Sequence, residues 1–224
     1  MTKTPQDSVR ATYDTIAEHF AATREYAWPE VESFCTSQHV ESAYSRESVG
    51  LDLGCGNGRH AETLCKRTSV DKTVGIDVSC ELLRTAQKRA ANRGFADKFG
   101  VVHADAGTIP LQSESVSIAI YIATLHHLRP RQRRIESLSE VARVLNSGGR
   151  ALISAWSTAH DRFDRDTGFD TTVEWTLPDG KSIPRYYHIY DLDEFRSDIN
   201  ASALSTVEVE VSSGNCYAVA EVID

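Results

Sequence analysis

Apolar residues between positions 49 and 156 follow two alternating patterns. Five short and largely apolar runs have the character of strands covered on both faces, namely VGLDLG, TVGIDVS, GVVHADA, SVSIAIYIATL and RALISAW. Between them lie segments with helical spacing: one over 59–67, one closed by Gly94, and one from Arg131 to the Gly148-Gly149 stop. This alternation predicts a doubly wound, mostly parallel α/β sheet that binds ligands at the carboxyl ends of its strands.

The segments outside this core complete a single predicted domain over residues 1–224. Residues 1–45 are predicted to form an N-terminal helical lid, because one helical face carries Val9, Tyr13, Ile16, Ala17 and Phe20. Residues 157–190 are polar and too long for a routine connection, so they are predicted to be a substrate-side insertion. A short helix (DLDEFRSDI) and two antiparallel strands (STVEVEVSS and CYAVAEVI) follow, which brings the predicted sheet to seven strands.

Composition and charge argue against several classes of protein, including disulfide-rich, structural zinc and membrane proteins. The five cysteines are odd in number and scattered, which argues against a disulfide framework and a structural zinc site. No apolar run has the length of a signal peptide or membrane span, so a cytoplasmic protein without membrane contact is expected. The formal net charge of −8 repels polyanions, so an RNA ligand would need a local basic patch. The densest candidate follows the histidines in IATLHHLRPRQRR: Arg129, Arg131, Arg133 and Arg134.

A glycine-rich turn follows the first predicted strand in LDLGCGNGR. Gly54, Gly56 and Gly58 would let a ligand approach the backbone, although such turns can also be purely structural. Asp77 ends the second strand about 20 residues further on, where a carboxylate can bind a ribose diol or simply cap the next helix. Asp105 ends the third strand and could accept from an adenine amino group or form a turn.

Asp52 lies inside the first apolar strand, where a carboxylate needs a partner. Three strand-end carboxylates suit a cationic, adenosyl-containing ligand better than a pyrophosphate. Together DLGCGNG, GIDVS and ADAGTIPL resemble the signature blocks of class I S-adenosylmethionine-dependent methyltransferases, which have a Rossmann-like fold. The resemblance implies S-adenosyl-L-methionine as cofactor, contacted by Asp52, Gly54, Gly56, Gly58, Asp77, Val78, Asp105 and Ala106.

Three longer blocks narrow the resemblance. YDTIAEHFAATREYAWPEV, IATLHHLRPRQRRIESLSEVARVLNSGGRALISAW and RYYHIYDLDEF are similar to the tRNA wobble-uridine carboxymethyl methyltransferase family. Members of that family esterify the carboxylate of 5-carboxymethyluridine in the tRNA anticodon loop. A carboxylate is already ionised at neutral pH and needs no general base, so the site must hold an anion in line with the methyl group. By position in these blocks, the resemblance implies catalytic roles for Arg24, His126, His127, Arg185 and Tyr186.

The same resemblance implies a heterodimer with a small zinc-binding activator protein that pairs alongside the methyltransferase sheet, while no metal site is expected in this chain. Because cations at a helix N-terminus oppose the helix dipole, the cluster from Arg129 to Arg134 is predicted to contact the RNA backbone. Two alternatives stay open at this point: a methyltransferase for a small-molecule carboxylate or other small metabolite, and a cofactor-binding scaffold for a catalytic partner.

Overall fold

The computed structural model describes residues 5–37 and 47–222. In these ranges the helices are α1 (Pro5–Ala22), α2 (Pro29–Ser37), α3 (Arg59–Arg67), α4 (Cys80–Arg93), α5 (Arg131–Val144) and α6 (Leu192–Asn200). The strands are β1 (Val49–Leu53), β2 (Lys72–Asp77), β3 (Phe99–His103), β4 (Val116–Ile122), β5 (Leu145–Trp156), β6 (Phe169–Thr176), β7 (Ser182–Ile189), β8 (Leu204–Ser212) and β9 (Asn215–Val222). The predicted lid, residues 1–45, contains α1, α2 and the segment 23–28 between them, whereas residues 1–4 and 38–45 lie outside the described residues.

Seven strands form one sheet in the order β3-β2-β1-β4-β5-β9-β8. Only β9 runs against its neighbours, pairing antiparallel with both β5 and β8. Every residue of β4 except Ser117 is buried, because helices cover both faces of the sheet at its centre. The predicted doubly wound and mostly parallel sheet is confirmed, and its strand order reverses between β1 and β4.

The apolar core occupies both faces of this sheet. One cluster packs Leu53, Ile76 and Tyr121 with many other buried side chains beneath α5 and α6. The other places Val31 of α2 and Leu64 of α3 against buried residues of β4 and β5. The predicted helical elements therefore form because each buries one apolar face against the central strands.

Local signals set the ends of the helices. Ser79 caps α4 by accepting from the Leu82 amide, and Gly94 ends it in the left-handed conformation (φ 73°). The expected stop of α5 at Gly148-Gly149 is wrong, because α5 ends at Val144 and Leu145 already pairs with Val116 in the sheet. Residues 146–149 form an irregularity in β5 instead.

The insertion over 157–190 contains an antiparallel hairpin of β6 and β7, separate from the main sheet. Its strand β7 packs against α1, so the two segments outside the central core meet above the carboxyl ends of the strands. In the described ranges, no helix has the length and apolar character needed to cross a membrane.

Candidate active site

A cavity opens where the strand order reverses, at the carboxyl ends of β1, β2 and β4. It has a volume of about 1340 Å³ when its open mouth is included. Tyr13 and Phe20 of α1 and Arg185 and Tyr187 of β7 form part of its wall. The helical lid and the inserted hairpin thus line one cavity together with the strand ends.

The turn after β1 places backbone rather than side chains along the cavity. Gly54 has a φ of 73°, and a Cβ atom there would lie 2.1 Å from Oγ1 of Thr124, so no side chain fits. Gly54 and Gly56 line the cavity, whereas Gly58 lies behind it, next to Ala86 of α4. Gly58 is therefore not placed to contact the cofactor directly. The lack of a side chain at Gly58 lets α3 and α4 approach closely.

Asp77 ends β2 with its carboxylate at the cavity wall. Its two oxygens accept hydrogen bonds from the Gly56 amide (2.8 Å) and the Ser79 amide (2.8 Å). Burial raises the pKa of Asp77, and these backbone amides oppose that rise. The side chain is held between the glycine turn and the start of α4, and Val78 beside it also lines the cavity.

Asp52 does not line the cavity. Its side chain is 1% exposed, the Ala61 amide of α3 donates to it, and Oδ2 has no hydrogen-bond partner among the described residues. Burial raises its pKa to about 7. The structure thus gives Asp52 a place beneath the glycine turn, tying β1 to α3, rather than the direct cofactor contact implied by the sequence.

Asp105 and Ala106, just after β3, both line the cavity. The Oδ1 atom of Asp105 accepts from the Gly107 amide (2.7 Å) and from Nη2 of Arg133 (2.7 Å). The carboxylate is therefore fixed at one end of the cavity, about where the sequence predicted an acceptor for an adenine ring.

The two adjacent histidines have different surroundings. His127 lines the cavity, and its Nδ1 donates to the carbonyl of Tyr186 (2.9 Å), because a carbonyl only accepts. Nε2 therefore accepts from the hydroxyl of Tyr13 (2.8 Å). Burial, opposed by the bond to Tyr186 and reinforced by the charge of Arg185, lowers the pKa of His127 to about 4. His127 is a neutral imidazole with both nitrogens occupied.

His126 is fully buried and does not line the cavity. Its Nδ1 accepts from the Trp156 amide (3.2 Å), and its ring stacks on Tyr187 with centroids 4.5 Å apart. Burial keeps the pKa of His126 well below its ordinary value. His126 thus supports the cavity wall from behind, and its catalytic role stays a prediction.

Arg24 and Arg185 both lie against one aromatic ring, that of Trp175. The guanidinium carbon of Arg24 is 5.2 Å from the ring centre of Trp175, and that of Arg185 is 4.9 Å from the same centre. Burial and then the charge of Arg185 lower the pKa of Arg24. Neither arginine pairs with a carboxylate among the described residues, so two cations meet at the cavity without a counter-ion from these parts of the chain.

Hydroxyl groups complete the surroundings of Arg185. Its Nη1 donates to the hydroxyls of Tyr187 (2.7 Å) and Tyr13 (3.4 Å), and its Nε is buried without a partner among the described residues. Tyr186, predicted to be catalytic, points elsewhere and donates to Asp170 (2.8 Å). Tyr186 does not line the main cavity, and its catalytic role stays a prediction.

Several residues of the site were missing from the predicted set. Tyr13 and Phe20 were expected only as part of the apolar lid face, and Trp175 and Tyr187 lie in the polar insertion. The alternation along β7 places Arg185 and Tyr187 on one face and Tyr186 on the other. A strand assignment for RYYHIY would have placed Tyr187 on the same face as Arg185 and Tyr186 on the opposite face.

Three of the four arginines in the predicted basic patch form ion pairs within the chain. Arg131 binds Asp198 of α6 at 2.6 Å, and Arg134, 4% exposed, lies 3.4 Å from the same carboxylate. Arg133 binds Asp105 at 2.7 Å. These three arginines already have carboxylate partners, because the start of α5 packs against α6 and against the cavity rim at Asp105.

Comparison with known proteins gives the family. A family model described as a methyltransferase domain matches residues 51–153. The Schizosaccharomyces pombe protein named tRNA (carboxymethyluridine(34)-5-O)-methyltransferase is 30% identical, over 95% of this chain and 95% of that protein. The Saccharomyces cerevisiae protein of the same name is 32% identical over 184 residues, which are 80% of this chain and 60% of that protein.

Two solved structures share the fold. The DhpI–SAH complex has a TM-score of 0.70 at 18% identity, covering 99% of this chain and 98% of that one. A complex between the Haloferax volcanii Trm112 methyltransferase activator and a putative methyltransferase has a TM-score of 0.69 at 14% identity, covering 96% and 98% of the chains.

The strand order, the glycine turn and the strand-end carboxylates define a class I S-adenosylmethionine-dependent methyltransferase. The match to the fission yeast protein extends over nearly the whole of both chains. The chain belongs to the tRNA (carboxymethyluridine(34)-5-O)-methyltransferase family.

The residues of the cavity fit the cofactor of this class. The open backbone at Gly54 and Gly56 leaves room beside β1 for the amino acid portion, and the buried carboxylate of Asp77 suits a ribose diol. Val78 and Leu82 offer apolar contacts next to the fixed carboxylate of Asp105, as a purine ring requires. S-adenosyl-L-methionine is the cofactor, and these are the residues that would hold it.

Proposed function

We propose that this chain transfers a methyl group from S-adenosyl-L-methionine to the carboxylate of 5-carboxymethyluridine in the anticodon loop of tRNA. One observation carries the proposal: Arg24 and Arg185 both lie against Trp175 at the cavity without a carboxylate partner among the described residues. Two neighbouring guanidiniums repel each other, so the site favours an anionic ligand between or beside them. The relatives named above act on carboxymethyluridine, which carries one carboxylate.

The reaction asks for positioning rather than proton transfer. When bound, the cofactor supplies an electrophilic methyl group on a sulfonium, and a carboxylate oxygen attacks it without losing a proton. Arg24 and Arg185 bind and orient that carboxylate, and the nearby hydroxyls of Tyr13 and Tyr187 fix Arg185. His127 is neutral, and both of its ring nitrogens have hydrogen-bond partners. It is therefore better suited to position Tyr13 in the cavity wall than to act as a general base.

Nucleoside mass spectrometry tests the substrate. Cells lacking this protein should accumulate carboxymethyluridine in tRNA and lose its methyl ester, and both should return with the wild-type gene. An unchanged nucleoside profile would contradict the proposal and favour a small-molecule carboxylate as the acceptor.

Arginine variants test the anion site. With purified protein and carboxymethyluridine-containing tRNA, Arg24→Ala and Arg185→Ala should each lower kcat/KM roughly 10- to 100-fold, the value of a hydrogen bond to a charged group. Cofactor affinity, measured by calorimetry, should persist. Arg84→Ala is the matched control, because Arg84 is exposed and its ion pair among the described residues is with its helix neighbour Glu81. Near-wild-type turnover by either cavity variant would remove that arginine from the mechanism.

We also propose that the chain works as a heterodimer with a small zinc-binding activator protein, seated on the β3 edge of the sheet. The two edge strands differ in how they are protected. The exposed side of β8 carries Glu208 and Glu210, whereas β3 carries no carboxylate or lysine, and its Phe99 and Val101 are half-buried. An uncharged edge can accept another strand, and the putative methyltransferase of the Haloferax complex shares this fold.

Co-purification tests the partner. Val101→Glu should abolish co-purification with a co-expressed activator, because it places a charge on the β3 edge. Val207→Glu, on the β8 edge and 49% exposed in the wild type, is the matched control and should leave it intact. Loss of binding with Val207→Glu but not Val101→Glu would contradict the β3 assignment. The cytoplasmic location expected from the sequence stays a prediction.

A further inference from the structure

Arg129 differs from the other arginines of its cluster. Arg131, Arg133 and Arg134 each bind a carboxylate, whereas Arg129 is exposed and has no ion pair within residues 5–37 and 47–222. Its guanidinium carbon lies 4.8 Å from the centre of the Tyr186 ring. Its charge is thus available to an external anion while its position is held by an aromatic surface.

Tyr186 is itself fixed. Its hydroxyl donates to Asp170 at 2.8 Å, and Asp170 also binds Nδ1 of His188 at 2.8 Å. The ring beneath Arg129 therefore has little freedom to rotate away. A guanidinium lying on a fixed ring loses less conformational entropy when it binds an anion than a free side chain does.

Arg129 also lies where a polymeric substrate would leave the cavity. It lines the main cavity and a smaller adjoining pocket that includes Ser8, Thr12 and Pro184. Both spaces share Arg185, so the small pocket continues outward from the proposed anion site. It offers hydroxyl groups and two cations, Arg129 and Arg185, that have no carboxylate partner among the described residues, and no carboxylate of these residues lies in its wall.

We propose that Arg129, supported by Tyr186, binds a backbone phosphate of a nucleotide next to the methylated uridine. This inference rests on the proposed function, because the target carboxylate is assigned to Arg24 and Arg185, and the next anion along an RNA chain is a phosphate. Arginine binds phosphate through two parallel hydrogen bonds. In a chain of net charge −8, two cations at this mouth without a carboxylate partner among the described residues, Arg129 and Arg185, are a local exception that favours the RNA backbone.

The salt dependence of tRNA binding tests the proposal. The dissociation constant for carboxymethyluridine-containing tRNA is measured over a series of KCl concentrations for the wild type, Arg129→Ala, Arg129→Lys and Arg131→Ala. Each phosphate contact contributes roughly 0.7 to 0.9 to the slope of log affinity against log salt. Arg129→Ala should therefore lower the slope by about that amount and raise KM more than it lowers kcat, and Arg129→Lys should keep the slope.

Arg131→Ala is the matched control, since Arg131 is half-exposed in the same cluster but bound to Asp198. It should keep the wild-type slope. A wild-type slope for Arg129→Ala, or an equal loss of slope for Arg131→Ala, would overturn the assignment. Failure of the proposed function looks different, because the wild type itself would then transfer no methyl group to this tRNA.

Discussion

The buried imidazole of His127 gives the stability of this enzyme a component that depends on pH. In the folded chain its pKa is lowered from the ordinary 6.5 to about 4, mainly by burial. The unfolded chain therefore binds a proton between these values that the folded chain does not. The contribution of neutral His127 to the free energy of unfolding is complete above pH 6.5 and is lost as the pH falls toward 4.

The size of this effect follows from the two pKa values. Their difference corresponds to about 3 kcal/mol when the titration is complete. At pH 5 an unfolded histidine is almost fully protonated and the folded one only about one-tenth, so about 2 kcal/mol is lost relative to pH 8. For a single side chain in a domain this size, that is a large part of the net stability.

Comparison with a variant separates the contribution of His127 to the pH dependence of the free energy of unfolding from the contributions of other groups. Asp52 works in the opposite direction, because its pKa is raised to about 7 and its burial becomes less costly as the pH falls through that value. Urea unfolding is measured at pH 8 and pH 5 for the wild type and His127→Asn, in which the asparagine amide can still donate to Tyr186. Asp52 contributes equally to both proteins and cancels in the difference.

The wild type should lose about 2 kcal/mol more than His127→Asn between pH 8 and pH 5. His103→Asn, which replaces an exposed histidine on β3, should behave as the wild type. Equal pH dependence in the wild type and His127→Asn would show that this imidazole is not held neutral in the folded chain, and would refute the reasoning.

Three further substitutions have defined outcomes. Gly54→Ala should abolish cofactor binding in calorimetry, because its Cβ would lie 2.1 Å from a threonine oxygen, whereas Gly100→Ala has open space and should bind normally; equal affinities would contradict the close approach. Asp77→Asn should weaken cofactor binding roughly 10-fold or more by removing a charged acceptor, and an unchanged dissociation constant would exclude the ribose contact. Arg134→Met should lower the free energy of unfolding by about 2 kcal/mol in urea, because it removes one of the two arginines that bind the fully buried Asp198 and leaves Arg131 in place; an unchanged free energy of unfolding would contradict that pairing.

The parts of the site that lie within one strand and the following turn were predictable from sequence. The glycine turn and Asp77 are examples, because a parallel sheet brings successive strand ends to one edge. Arg24 and Arg185 were placed by resemblance alone, since nothing in the local pattern brings α1 and β7 together. In the structure the two arginines are brought together because both contact the ring of Trp175.

The pairing and orientation of several predicted residues could not be read from the sequence, because their partners are distant along the chain. Asp198 lies more than 60 positions beyond Arg131 and Arg134, so the cluster looked unpaired until α6 was placed against α5. The orientation of adjacent side chains was equally hidden, because His126 and His127 belong to a short turn of helix after β4 with no periodicity to sort them. Helical or strand patterns assign faces only over longer stretches.

The contact of Trp175 with both Arg24 and Arg185 also makes the intrinsic fluorescence of the protein a probe of the site. The chain has three tryptophans; Trp28 and Trp156 line the cavity, and Trp175 lies against both cavity arginines. The indole emission of this protein therefore originates at the active site, and titrations of cofactor and of anionic substrate can be followed by fluorescence without any label.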